Sequence, residues 1–475
     1  MKQLAFSEAR VSYPRCTFTY EVQGTTLTKY LDVSSLPGSA FRAADQSTVS
    51  HIVAHIGMAY VPHLFALDDF DVVNVHPLLL SAGGVEFYET YIQRGLAELR
   101  LRNKLDITKR VRVKVDPGAA RYGAGHYLPR PSALLLNGGG KDTAVAGEIL
   151  QEVGLPFVWF TLGTTRAMTR LIRLSGNPRS ITLSQGGSLQ VLRRQARYSG
   201  HKPFTSLVAF TSLLAAFVKR QRYVVAANEY SANFGNVVRD GFQVNHQYPK
   251  SHHFESLFAR YVKAEILPDV TYFSILRPLY EIQIAKLFAE HSKYFTSFRS
   301  CNLGHKADYW CLSCPKCAFI LLALAPHLSQ QDLVSIFGAN AFAFPGLRRW
   351  IGKLCGAGIR PFECVGTRRE SLVALWMSHR RHPDDPFISS LYDECCTGQD
   401  VPALECRYMN RIERPHNIPP ELVTPVMSYF RDRLEPASGP TAIRCAPIAR
   451  NKKEARRSWM AKKPRLPARN AHHGW

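Results

Sequence analysis

At 475 residues and 46% hydrophobic content, the chain sits among ordinary globular proteins long enough for two or three domains. Its longest apolar runs, Leu207–Val218 and Ala318–Ala325, fall well short of the ~20 residues of a bilayer span, and no signal-peptide pattern opens it. The expectation is a soluble, cytoplasmic protein without membrane insertion. The formal charge is +23, of which the stretch from Arg444 onward supplies +9, from ten Lys/Arg and one Glu. The remaining +14 suits a polyanionic substrate such as a nucleotide.

Residues 1–128 read as an α+β N-terminal domain. Phe18–Val22 and Asp71–Val75 are strand-like, while Ser47–Ala59 and Val85–Leu99 carry helical periodicity. His51 and His55 stand one helical turn apart, but no third ligand accompanies them, so the helix reads as structural. Tyr122–Pro131, with its Gly and Pro residues, reads as a linker.

Residues 129–330 alternate strand and helix, as a doubly wound, mostly parallel sheet does. Strand Ala133–Leu136 runs into Asn137-Gly138-Gly139-Gly140-Lys141-Asp142-Thr143 and then a helix, Ala144–Val153. Glycines admit an anion close to the backbone N–H groups, and the helix points its positive end at the same spot. The order differs from the P-loop G-x-x-x-x-G-K-[ST], because Asp142 separates Lys141 from Thr143. It resembles instead the S-G-G-x-D-S/T loop of the N-type ATP pyrophosphatases, with Asn137 standing where that family usually has Ser. That resemblance implies ATP cleavage between the α and β phosphates. Diphosphate would then lie on Gly138–Gly140 and Thr143, with Asp142 near Mg²⁺.

Further strands are predicted at Phe157–Leu162, Ser180–Leu183 and Tyr223–Ala227, with helices at Arg166–Leu174 and Phe204–Arg220. In such sheets ligands bind at the carboxyl ends of strands. Asn228, Glu229 and Asn233 follow the last strand and are candidate substrate contacts. His246, Lys250 and Glu255 come next and offer an acid, a base and an anion clamp. Arg277 precedes a Pro-initiated helix and could bind phosphate or carboxylate, or form a surface salt bridge.

Cys301, Cys311, Cys314 and Cys317 are spaced C-x9-C-x2-C-x2-C, which suits a closed, structural Zn²⁺ site, with a redox CxxC as the rival and an iron–sulfur cluster as the other metal reading. The other seven cysteines (16, 355, 364, 395, 396, 406 and 445) show no metal spacing and read as apolar fillers. Cys364, beside Glu363, is also a candidate acid/base thiol. Residues 331–440 look helical, and Thr367 with Glu370 spells a capping box. The stretch 441–475 reads as a disordered basic extension that aids solubility, so nucleic acid is not the expected partner.

Taken together, NGGGKDT, NEYSANFGN, NHQYPKSHHFE, LRPLYEIQIAKLF, WCLSCPKCAF and PFECVGT, with HIGMAYVP and GLAELRLRN upstream, are similar to one family. It is the UDP-N-acetyl-α-D-muramoyl-L-alanyl-L-glutamate epimerase family of peptidoglycan synthesis, and the likeness covers about residues 50–375. It implies a fold of the adenine-nucleotide alpha-hydrolase (PP-loop) type and an ATP-dependent inversion of the terminal L-Glu to D-Glu, giving AMP and diphosphate. The implied substrate is UDP-MurNAc-L-Ala-L-Glu, the cofactors ATP and Mg²⁺, and an expected partner the ligase that adds L-Glu. On this reading Asn137–Thr143 hold ATP, while Asn228, Glu229, Asn233 and Arg277 face substrate. Asp142, His246, Lys250 and Cys364 carry the chemistry, with His246 the first choice for proton transfer at Cα and Cys364 the second. Two other readings keep the motifs. One is a PP-loop enzyme that thiolates tRNA or makes a 7-cyano-7-deazaguanine-like product; the other is a zinc-stabilised nucleic-acid-binding protein with a degenerate loop.

Overall fold

The computed structural model describes residues 1–188, 194–356 and 359–434, and within it Met1–Pro436 forms one compact unit. The basic stretch 441–475 lies outside the described residues. Strands are numbered β1 (Gln3–Arg10), β2 (Arg15–Val22), β3 (Thr25–Asp32), β4 (Val72–Val75), β5 (Arg112–Val115), β6 (Arg130–Leu136), β7 (Phe157–Leu162), β8 (Ser180–Gly187), β9 (Gln221–Ala226), β10 (Val237–Arg239), β11 (Phe242–Val244) and β12 (Thr271–Ser274). Ten of them join one sheet in the order β12-β9-β6-β7-β8-β3-β2-β1-β4-β5, and β10 pairs with β11 as a separate hairpin.

The five strands β8, β7, β6, β9 and β12 are mutually parallel, in the 3-2-1-4-5 order of a doubly wound sheet. The inner strands β6, β7 and β9 are buried on both faces at their carboxyl ends, and their period-2 alternation deals side chains to two cores. Ala133, Leu135, Trp159 and Val225 pack with the C-terminal helices, whereas Leu134, Leu136, Phe160 and Val224 pack under helices Gln46–Leu64 and Phe204–Lys219. The helical reading of the C-terminal region holds, with six α-helices from Gln330–Phe337 to Pro420–Leu434 among the described residues.

Strand β8 stitches the two parts of the sheet together. Its first residues pair in parallel with β7 (Trp159↔Ser180 to Leu162↔Leu183), and its last pair antiparallel with β3 (Asp32↔Ser184 to Lys29↔Gly187). Gly187 sits at φ +113, where a Cβ would lie 2.2 Å from the Thr28 carbonyl oxygen, so only glycine lets β8 reach that neighbour. The strand runs four residues beyond the predicted Ser180–Leu183, through the two glycines Gly186 and Gly187. The single helix predicted over Val85–Leu99 breaks at Leu96 into Ala82–Gly95 and Ala97–Arg102.

Helix Lys141–Glu152 is what the sheet must place, because its first turn begins at the tip of β6. It seats deeply, since a Cβ on Gly147 would lie 2.6 Å from the Trp159 ring on β7. Gly147→Ala gains up to about 1 kcal/mol of helix propensity but overpacks a rigid indole at a cost of about 1–3 kcal/mol. Urea unfolding is therefore expected to show a net loss of about 1 kcal/mol; a clear stabilisation would mean the helix does not sit this close.

Candidate functional site

Strand β6 lies between β7 and β9, and the connections after β6 and β9 leave toward opposite faces. That divergence opens a crevice at the strands' carboxyl ends. A cleft of about 360 Å³ occupies it, lined on the β6 side by Asn137, Gly138, Gly140, Asp142 and Thr143. Leu162, Met168, Phe204, Val208 and Ala226 form an apolar side, and Asn228, Lys250, Arg299, His305 and Lys316 a polar one.

The loop is held open by its own side chains. Gly139 adopts φ +73, and its N–H donates to Asn137 Oδ1 at 2.8 Å, while Asn137 Nδ2 donates to the Met168 carbonyl at 3.3 Å. A serine could make the first bond but is too short for both, which accounts for Asn137 at this position. Gly138 N–H donates to Thr143 Oγ1 at 3.3 Å, and the first turn of the helix carries no side-chain cap. Its amides and positive end are thus available to an anion in the cleft.

Below the loop, one oxygen from each of Asp142, Glu229 and Glu281 lies within 4.8 Å of the other two. Glu229 is fully buried, and neither of its carboxylate oxygens has a hydrogen-bond partner. An unpartnered buried carboxylate beside two others fits a divalent cation bound through oxygen. Glu281, read from sequence only as the start of a helix, thereby joins the site. Burial, with Asp142 and Glu229 adding to it, pushes its carboxyl upward against the pull of Lys141. Lys141 is buried between Asp142 and Glu281, to both of which its ammonium donates. Burial opposes its charge, and these two carboxylates outweigh burial, so it stays above the ordinary lysine range. Lys141 therefore balances the acidic cluster instead of lining the cleft.

Lys250, half-buried at the edge of the cleft, connects this cluster to a second one. Burial works against its charge, but Cys364, Glu229, Asp142 and Glu281 together hold its ammonium above the usual range. Cys364 is half-buried and neighbours His246, whose Nδ1 meets Glu98 Oε2. Burial alone would raise the Cys364 thiol; Lys250 and His246 reverse that and lower it to about 6. Burial alone would lower His246; Cys364 and Glu98 raise it to about 9. Near neutral pH the couple is thus a thiolate facing an imidazolium.

Other expected contacts prove to be scaffolding. Arg277 is fully buried: Nε and Nη2 donate to Glu255 at 2.9 and 2.7 Å, Nη1 to the Glu229 carbonyl and Nη2 to the Lys250 carbonyl, both at 2.5 Å. It positions Glu229 and Lys250 and has no donor turned to the cleft. Glu255, fixed by Arg277 and by Asn417 at 2.9 Å, is likewise spent. Asn233 accepts the His252 N–H at 2.7 Å and so sets the start of helix His252–Tyr261. The capping box is present, and Glu370 also accepts the Glu281 N–H at 2.8 Å. His55 bonds Tyr88 at 2.7 Å and His51 at 3.0 Å, a buried structural chain.

The sulfurs of Cys301, Cys311, Cys314 and Cys317 cluster, with Cys301–Cys314 at 4.0 Å, Cys311–Cys317 at 3.7 Å and Cys314–Cys317 at 3.5 Å. A tetrahedron with metal–sulfur bonds of ~2.3 Å has edges of about 3.8 Å, so one Zn²⁺ fits among them. The N–H groups of Gly304 and Cys317 donate to the sulfurs of Cys301 and Cys314, at 3.1 and 3.4 Å, which suits thiolates. The knuckle also carries Ser300, Asn302, His305 and Lys316 into the cleft wall. Of the remaining cysteines, Cys16, Cys355 and Cys396 are buried fillers, whereas Cys406 is disulfide-bonded and so departs from that reading. Cys445 lies outside the described residues. Among the described residues no helix is long and apolar enough to cross a membrane.

Comparison with known proteins gives a consistent picture. The family model of the MurL N-terminal domain matches residues 1–275, and that of the MurL C-terminal domain matches residues 296–401. A protein of Xanthomonas oryzae pv. oryzae named UDP-N-acetyl-alpha-D-muramoyl-L-alanyl-L-glutamate epimerase is 31% identical over 86% of this chain and 92% of its own. Proteins of the same name from Salinispora tropica and a Micromonospora species are 30% and 32% identical, over 77% and 67% of this chain and 82% and 73% of theirs. No solved structure matches.

Elemental analysis of the purified chain is expected to find about one zinc per chain, lost in Cys314→Ser together with several degrees of melting temperature. Iron with visible absorbance, or a metal-free chain of unchanged stability, would contradict the assignment.

Proposed function

The chain belongs to the MurL family, and from that premise we propose that it inverts the terminal L-Glu of UDP-MurNAc-L-Ala-L-Glu to D-Glu, converting ATP to AMP and diphosphate. The observation that carries the reading is a phosphate-cradling loop lining the cleft and, beyond Lys250 at the cleft's edge, a neighbouring thiol–imidazole couple. We read the five parallel strands as the PP-loop nucleotide fold. None of the relatives named above is a tRNA-modifying or deazaguanine enzyme, and that alternative is not carried forward.

The two halves of the site answer one chemical difficulty. The Cα–H of glutamate is very weakly acidic while its neighbour is a free carboxylate, because the carbanion would sit beside a negative charge. Transfer of AMP to that carboxylate removes the charge and supplies an electron sink. The Glu nitrogen is already acylated by Ala, so the acyl-adenylate can also close to an oxazolone with a still more acidic Cα–H. ATP phosphates would lie on Gly138–Gly140 and Thr143 at the open helix end, with the base against Leu162, Met168, Phe204 and Val208. Phe204, 41% exposed in the cleft wall, offers a stacking face. Asp142, Glu229 and Glu281 would hold Mg²⁺, whose chemistry here is to neutralise the departing diphosphate. Asn228 and Lys250, at the edge between the two clusters, would orient the activated carboxylate.

The proton step falls to the couple. His246, the first choice for proton transfer at Cα, is held protonated by Cys364 and Glu98 and so serves as an acid. The base is Cys364, whose thiolate outweighs its thiol roughly thirtyfold at pH 7.5 when it titrates near 6. Lys250 and His246 can each return a proton to Cα, and water then cleaves the activated carboxyl. The chemistry requires an upstream ligase that joins L-Glu to the UDP-MurNAc-L-Ala acyl group.

Incubation with ATP, Mg²⁺ and UDP-MurNAc-L-Ala-L-Glu is expected to release diphosphate and AMP and yield D-Glu on hydrolysis. Asp142→Asn should suppress diphosphate release at least 100-fold. Cys364→Ala should leave diphosphate release and abolish inversion; inversion at the parental rate would remove Cys364 from the mechanism. Turnover should rise with pH through about 6, as the thiol ionises, and fall through about 9, as the imidazolium is lost. A profile flat between pH 5 and 10 would contradict the couple.

A further inference from the structure

The acid–base couple is completed by a residue from the opposite end of the sheet. Glu98 lies in the short helix Ala97–Arg102, which begins where the preceding helix breaks at Leu96. That break turns four consecutive residues, Ala97 to Arg100, into the interior. Arg100 anchors the helix: fully buried, it donates to Asp69 at 3.0 Å and to the Lys109 carbonyl at 2.7 Å, and Lys109 itself reaches Asp69 at 2.9 Å. Asn103, at its end, donates to the Ser199 carbonyl at 2.7 Å. Gly200, at φ +145, packs where a Cβ would lie 2.8 Å from Leu99 Cα, and brings the His201 ring to 4.3 Å from that of His246. Glu98 is therefore a buried carboxylate in a rigid seat. One of its oxygens accepts from Arg102 Nε, and the other meets His246 Nδ1. The His246 backbone is fixed as well, its N–H donating to Asn236 Oδ1 at 2.9 Å.

We propose that Glu98 is the positioning residue of the couple: by engaging Nδ1 it leaves Nε2 to meet the Cys364 thiol and keeps the pair as imidazolium and thiolate. A histidine between a carboxylate and a thiol has its tautomer, ring orientation and charge set by the carboxylate, which itself never touches substrate. The charges that face the pair are few. Arg102 half-neutralises Glu98, Lys250 and Lys316 draw the thiol toward its anion, and the Arg360 guanidinium also faces it. Glu363 stands beside both His246 and Cys364, and His201 is held neutral by burial, which lowers it to about 3. Glu98 is thus the carboxylate hydrogen-bonded to His246, and removing its charge leaves the imidazolium with the thiolate as its main support. As a claim about catalysis this rests on the proposed epimerisation; as a claim about the couple it rests on the Glu98–His246 hydrogen bond and the buried seat that holds Glu98.

The test uses the full chain carrying Glu98→Gln, which keeps the shape and removes the charge. Alkylation of Cys364 by iodoacetamide, followed by mass spectrometry of its own peptide, gives the pH at which the thiol is half ionised. In E98Q that midpoint is expected to move up by one unit or more, and the acid limb of the pH–rate profile to move with it. E98D should keep the midpoint within half a unit of the parent. An unchanged midpoint in E98Q, even with reduced turnover, would overturn the proposal and leave Glu98 an ordinary packing contact. Should E98Q fail to fold, ¹⁵N-histidine spectra of the parent chain, assigned with His246→Asn, decide the matter. An imidazolium at pH 7.5 supports the proposal, and a neutral ring overturns it. Alkylation needs neither ATP nor peptide, so a shifted midpoint in a chain that inverts nothing would sink the functional reading and leave the role of Glu98 intact.

Discussion

Three carboxylates within 4.8 Å of one another, two of them buried, set the central constraint on this molecule. Burying even one ion costs several kcal/mol unless opposite charge and hydrogen bonds offset it. The surroundings of Asp142, Glu229 and Glu281 are organised around that requirement. Lys141 is drawn out of the cleft to lie between Asp142 and Glu281. Arg277 is buried with Glu255 so that its remaining donors fix the backbone of Glu229 and Lys250. Glu370 holds the first amide of the helix that begins at Glu281. Two carboxylate oxygens of Glu229 still lack a partner, and a bound cation is the simplest way to complete the set.

The same charges reach the second cluster through Lys250. Its ammonium is supported by the carboxylates on one side and by the Cys364 thiolate on the other, so the nucleotide end and the proton-transfer end share one balance. The cysteine knuckle acts on both ends as well. From Ser300 to Cys317 it carries Ser300, Asn302, His305 and Lys316 to the cleft, and Asn302 also bonds Glu363, the neighbour of Cys364. A site that joins a loop after β6, a turn after β9, a cysteine knuckle and the Cys364 loop depends on the whole fold being intact.

How much of this could be read from the chain depended on how local its cause was. The loop, its helix, and strands β6 and β7 were legible, because an apolar run into three glycines has few other structural meanings. The four metal-spaced cysteines were legible for the same reason. Strands β1, β3 and β5 were not, since each is short or half-exposed and is fixed by partners far along the chain. Polar residues after a strand misled in a specific way. Arg277 and Asn233 look like ligand contacts in sequence, yet both are consumed by backbone groups that only the fold brings near. Glu98 and Glu281 were missed for the converse reason. Glu98 meets a histidine 148 positions away, and Glu281 is indistinguishable from any acidic residue opening a helix. Glu98 does lie within the GLAELRLRN stretch that resembled the family, which was the available signal.

The central claim is that ATP is spent to loosen the Cα–H bond of glutamate. Its most direct measurement runs the reaction in D₂O, with and without ATP, and determines the chirality and Cα deuterium of the glutamate recovered from the product. The account expects D-Glu carrying deuterium at Cα only when ATP is present, with one AMP formed per inversion. Inversion or Cα exchange at an equal rate without ATP, or cleavage to ADP, would contradict it.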